Sequence, residues 1–112
     1  MSTRYFAPLF LIVILAACGE SDPYAASKQR LIDDCVTGGE SITACECQIE
    51  FAKNELTTRD FHLVLEASDA QRLNLSAERT AARLGVTGQE LVELSRRLHA
   101  VDRPAVRYCQ GR

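Results

Sequence analysis

The sequence predicts an all-α protein: a small, disulfide-stapled bundle of about four to five short helices behind a cleaved signal peptide. Three observations carry this reading. Beyond residue 24, apolar residues recur at helical spacing and no stretch alternates with period two. Capping signals and glycines punctuate those stretches. Five cysteines fall within 112 residues, which suits a small exported domain too short to rely on a large core. Apolar residues at 46% and charged residues at 25% give a globular balance, and the length allows one domain.

The first segment reads as a targeting signal. Met1-Ser2-Thr3-Arg4 is a short positive start, and residues 5–17 form an uncharged apolar run of thirteen. A spanning helix needs about 20 apolar residues, so the run fits the h-region of a secretory signal. Residues 1–17 are therefore assigned to the signal, 18–23 to a modified cysteine and a short polar tether, and 24–112 to the helical domain.

Leu15-Ala16-Ala17-Cys18, followed by Gly19, resembles the lipobox of bacterial lipoproteins. The resemblance covers the first 19 residues. It implies that the Cys18 thiol carries diacylglycerol, that the chain is cut before Cys18, and that the new amine is acylated, with palmitate as the usual chain. One acyl chain holds a protein marginally and two or more hold it stably. The family's inner-membrane retention signal is Asp after the cysteine. Gly19 departs from it, so the resemblance implies the periplasmic leaflet of the outer membrane.

The helices follow in order. Residues 24–37 carry Leu31, Ile32, Cys35 and Val36 on one side and stop at Gly38-Gly39. Thr43-Ala44-Cys45-Glu46 matches a capping box, with Thr43 as N-cap and Glu46 reaching back. Behind it Cys45, Ile49, Ala52 and Leu56 form a helical stripe. Thr57-Thr58-Arg59-Asp60 opens a third helix with Phe61, Val64, Leu65 and Ser68 on its face. Ser76 caps a fourth, with Ala77, Ala81 and Leu84 inward and Gly85 at its end. Thr87 to Glu90 is a second capping box, opening a fifth helix with Leu91, Leu94, Ser95, Leu98 and Val101. Asp102 and Pro104 then predict a separate short last turn holding Val106 and Cys109.

With Cys18 assigned to the lipid, Cys35, Cys45, Cys47 and Cys109 remain and predict two disulfides. The C-x9-C-x-C spacing loosely resembles small exported bacterial helical proteins of unassigned function, and carries no activity. On one helix, Cys45 and Cys47 point roughly 200° apart and must face different partners. Reflecting Cys35 through a hairpin centred near Gly39-Glu40 lands closer to Cys45. This favours Cys35–Cys45 with Cys47–Cys109 and leaves the swap, Cys35–Cys47 with Cys45–Cys109, open. The competing reading is a Zn or Cu(I) site on the same four thiols, with His62 or His99 adding ligands. The opposed directions of Cys45 and Cys47 count against it, as does the lack of CxxC, CxxCH or a Met-rich tract. No metal or cofactor is expected.

No catalytic set is expected either. His62, beside Phe61 but off its face, and His99, at the edge of the fifth helix, read as surface residues. The chain has no G-x-S-x-G, phosphate loop or H-E-x-x-H. Arg79 to Leu91 resembles the helix-turn-helix core of bacterial DNA-binding domains, through the Ala81-Ala82 pair, the turn glycine Gly85 and the capped helix carrying Arg96-Arg97. An exported, anchored chain meets no chromosome, and the net charge of −2 argues the same way, so no nucleic-acid partner is expected.

Charge is uneven along the chain. Residues 20–69 hold eleven acidic and four basic side chains, whereas residues 70–112 hold four acidic and eight basic, all eight of them arginine. One reading is mutual neutralisation within the bundle. The other is a contact surface of Arg96, Arg97, Arg103 and Arg107 for anionic envelope material, since guanidinium binds phosphate and carboxylate bidentately. The expected role is a non-enzymatic interaction or accessory module of the cell envelope. Its expected partners are the membrane, through Cys18, and an envelope protein or anionic envelope component.

Overall fold

The computed structural model describes residues 22–111; the expected signal peptide and Cys18 lie outside them. Five helices follow one another: α1 Ala25–Thr37, α2 Ile42–Glu55, α3 Thr58–Arg72, α4 Ala77–Leu84 and α5 Gly88–Cys109, with no strand among the described residues. The all-α, disulfide-stapled bundle is thus observed.

Short connections with well-defined caps set the path. α1 ends at Gly38, whose N–H donates to the Asp34 carbonyl at 3.0 Å, and Gly39 takes the positive φ of 109° that reverses the chain. α2 begins earlier than the capping box at Thr43 predicts. Ser41 is the N-cap, in extended backbone, with its hydroxyl accepting from the Ala44 N–H at 3.1 Å. Serine ranks above threonine at an N-cap, and starting two residues earlier adds half a turn of helix after the Gly39 reversal. Thr43 is then an interior residue and Glu46 is exposed with no capping role.

Leu56 and Thr57 alone join α2 to α3, Leu56 turning its side chain into the core while the Thr57 hydroxyl caps the Asp60 N–H. Asn74, at φ 57°, reverses the chain after α3, a position that asparagine tolerates better than most residues. Ser76 caps α4, and Gly85 ends it in the left-handed region. α4 rests on Thr80 and Ala81, both 6% exposed, whereas Ala77 and, on α5, Ser95 face out rather than in. The Thr87–Glu90 capping box is present on both sides.

α5 corrects the expected separate last turn. It runs unbroken for 22 residues, about 33 Å, straight through Pro104. Proline removes one intrahelical donor, that for the carbonyl of residue 100, and Ala100 is exposed, so water can satisfy that oxygen. Ala105 at 3% and Cys109 at 1% exposure bury the far end of the helix and hold it in place.

The core gathers where α2 meets its neighbours. Ile32 from α1, Cys45 and Ile49 from α2, Leu56, Phe61, Val64 and Leu65 from α3 and Leu94 from α5 form one buried cluster. α5 packs chiefly on α2 and touches α3 sparsely, which leaves an open seam between α3 and α5.

Candidate functional site

The four cysteines among the described residues are paired. Cys35–Cys45 closes the α1–α2 hairpin with Cα atoms 5.8 Å apart, and Cys47–Cys109 ties the end of α5 to α2 with Cα atoms 5.7 Å apart. This is the pairing that the hairpin reflection favours over its swap. Both Cys45 and Cys47 lie inside α2 and leave it in different directions, as the 200° argument requires. The ligand atoms of Cys35, Glu40 and Cys45 lie within 4.8 Å of one another, so a cation could meet them only after that disulfide is reduced.

The arginines divide into two groups. Arg97 is removed from the expected contact surface: its Nε donates to Asp60 Oδ2 at 2.8 Å and its second nitrogen to Oδ1 at 3.2 Å. Asp60 is buried at 7% exposure, and Arg97 provides the charge that a buried carboxylate needs. Arg96, Arg103 and Arg107 are exposed and have no ion-pair partner among the described residues. Spacings of seven and eleven residues place Arg103 and Arg107 within about 20° of Arg96 on the helical wheel. The three form a line about 16 Å long on α5, opposite its buried Leu94–Ala105 side. Val92 and Ala100 flank it, and Glu93 lies at its margin.

Neutralisation between the halves of the chain accounts for Arg72, and Arg30 is neutralised within the acidic half. Arg72 pairs with Asp34 and, at 2.9 Å, with Asp69, while Arg30 grips Asp69 at 2.9 and 3.0 Å. The Arg30 hydrogen bonds first, then those from Ser27 and the Arg72 charge, hold the Asp69 carboxyl down at about 2 against the opposing effect of burial. The opposite polarity also occurs, Arg59 of the acidic half meeting Glu90 of the basic half at 3.7 Å.

His62 is not the exposed side chain expected. It is half-buried, and its ring stacks on Tyr24 with centroids 3.9 Å apart and planes 9° off parallel. The Tyr24 hydroxyl donates to Glu66 at 3.4 Å, and burial followed by the Glu66 charge pushes the phenol pKa up. This stack pins the start of α1, where the tether would enter, onto α3.

A largely apolar crevice of about 430 Å³ opens among α1, α2, α3 and α5. Its walls include Leu31, Ile49, Phe61, Val64 and Val101, together with the Cys35–Cys45 disulfide. It continues along the α3–α5 seam into a second space of about 330 Å³, sharing Val64, Ser68 and Leu98 with it. Asp34, Gln48, His99 and Asp102 also line it. Sequence reasoning placed His99 at a helix edge but did not bring it to a crevice, because the opening is made by helices distant in sequence.

Comparison with protein-family models, curated proteins and solved structures finds no match for the chain.

Proposed function

We propose that the protein is a lipid-anchored, periplasm-facing module of the cell envelope that works without catalysis, through contact between α5 and anionic envelope material. The observation that supports this reading most directly is the line of Arg96, Arg103 and Arg107 on the outer side of α5, free of internal ion pairs among the described residues. The expected anchor strengthens it. Cys18 stands four residues before Asp22, so even a fully extended tether reaches only about 14 Å. A domain held that close meets lipid headgroups, lipopolysaccharide or peptidoglycan before anything else. Outer-membrane attachment rests on Gly19 in the lipobox resemblance.

The test is binding of residues 18–112 carrying Cys18→Ser, exported behind an ordinary cleavable signal peptide, to vesicles with and without anionic lipid. Binding should require anionic lipid and weaken sharply between low and physiological salt. Replacing Arg96, Arg103 and Arg107 together with Gln should remove most of it and leave the melting temperature nearly unchanged. Salt-insensitive or absent binding sinks the reading.

A second reading, a zinc or copper carrier, draws on the convergence of Cys35, Glu40 and Cys45. It needs free thiols in the exported protein, so stoichiometric metal in chain purified without reductant would bring it forward.

A further inference from the structure

The crevice carries an asymmetry that the arginine line does not explain. Each uncharged polar side chain lining it already directs a donor into the protein. The Ser68 hydroxyl donates to the Val64 carbonyl at 2.9 Å. The Gln48 amide donates one N–H to Glu40 and keeps its second N–H and its oxygen. His99 Nδ1 lies 2.8 Å from the Ser95 carbonyl, which can only accept, so the Nδ1 proton is directed there. Of the two lining carboxylates, Asp34 is neutralised by Arg72, whereas Asp102 is exposed and has no ion-pair partner among the described residues. The one acidic group left unpaired on this lining is therefore the Asp102 carboxylate, above a floor of Leu31, Ile49, Phe61 and Val101. No lysine or arginine lines the space.

We propose that this crevice is a binding site for a small cationic amphiphile, a hydrocarbon body with one ammonium head, the body lying on the apolar floor and the head at Asp102. An ammonium brings three N–H donors and a positive charge to the unpaired Asp102 carboxylate, which would repel a carboxylate or phosphate head. The continuation along the α3–α5 seam gives the hydrocarbon room to extend. The site does not depend on the anchor, and Asp102 is turned about 100–140° around α5 from Arg96, Arg103 and Arg107.

Three probes with one tail test it: n-octylamine, n-octanol and octanoate, titrated calorimetrically into residues 18–112 carrying Cys18→Ser and exported behind an ordinary cleavable signal peptide. Octylamine should bind with one-to-one stoichiometry, octanol more weakly and octanoate least. Asp102→Asn should weaken octylamine about tenfold and change octanol less than twofold. Amide NMR shifts on adding octylamine should centre on Leu98, His99 and Val101, a readout that needs no variant. Octanoate binding as tightly as octylamine, an unchanged octylamine affinity in Asp102→Asn, or shifts confined to another surface would each overturn the proposal.

Discussion

Arg97 and Asp60 stand 37 residues apart in sequence and meet through two hydrogen bonds of 2.8 and 3.2 Å, joining the middle of α5 to the first turn of α3. The Asp60 side chain is 11% exposed and that of Arg97 48%, so the pair is sheltered on one side only. Part of the positive charge of the second half is thereby committed to the acidic half, and Arg97 differs in role from its neighbour Arg96.

That difference is measurable. Arg97→Gln leaves a buried carboxylate without its cation and should lower stability by about 1–2 kcal/mol, moderated by the exposure of the arginine. Arg96→Gln should stay within about 0.5 kcal/mol of the parent. Urea unfolding of both variants checks this; equal effects would mean that the Asp60 contact contributes nothing.

The disulfides should contribute unequally. They close separations of 10 and 62 residues, and loop-closure entropy favours the longer. Removing Cys47–Cys109 by paired Ser substitutions should cost about 4 kcal/mol, against about 3 for Cys35–Cys45. Peptide mapping of unreduced protein should recover those two linkages, and recovery of Cys35–Cys47 would contradict the hairpin geometry.

Asp69 sets an acid limit. Its carboxyl is held at about 2 in the folded state, from an ordinary value of 3.8. Because the folded value is the lower one, its contribution is fully present above about pH 5 and is lost as pH falls from there through 3.8 towards 2. Asp69→Asn should therefore be less stable than the parent at neutral pH, by on the order of 1–2 kcal/mol after solvent screening, and the gap should close at about pH 2. Denaturant midpoints across that range check the sign; a gap that widens with acid would refute it.

Local signals made much of this fold legible. The Thr87–Glu90 box, the Ser76 cap, the Gly85 stop and the Phe61–Val64–Leu65 face all arise from groups within four residues, and each is present. Misreadings came where several local answers competed or distance decided. Ser41 and Thr43 can each cap a helix, and only the turn at Gly39 selects between them. Pro104 stops a helix by local rule, but Ala105 and Cys109 are buried beyond it and α2 holds that end covalently. His62 finds Tyr24, 38 positions earlier, and no periodicity could have announced that stack. The crevice was invisible for the same reason: its walls come from four helices.

Pro104 offers a test of how tertiary packing overrides local propensity. Proline inside a helix is disfavoured by about 3 kcal/mol relative to alanine, partly offset by the freedom it removes from the unfolded chain. Pro104→Ala should therefore stabilise the protein by roughly 1–2 kcal/mol and leave the helical circular dichroism slightly stronger. A loss of stability would mean that packing of the half-buried proline ring outweighs its cost to the helix backbone.

Replacing Cys18 separates attachment from folding. If Leu15-Ala16-Ala17-Cys18 acts as a lipobox, Cys18→Ser removes the thiol that receives diacylglycerol, and the chain should accumulate as an uncut, unlipidated precursor. Each buried CH₂ contributes roughly 0.8 kcal/mol, so losing the acyl chains removes the stable membrane hold outright rather than by degrees. The four remaining cysteines lie in the helical domain, so exported Cys18→Ser protein should still lose four hydrogens by mass on oxidation and show the same helical spectrum. Mass spectrometry of the parent should find the acyl mass on the peptide that begins at Cys18. A Cys18→Ser chain of mature size that still partitions into detergent would place the anchor elsewhere and remove the short tether on which membrane proximity depends.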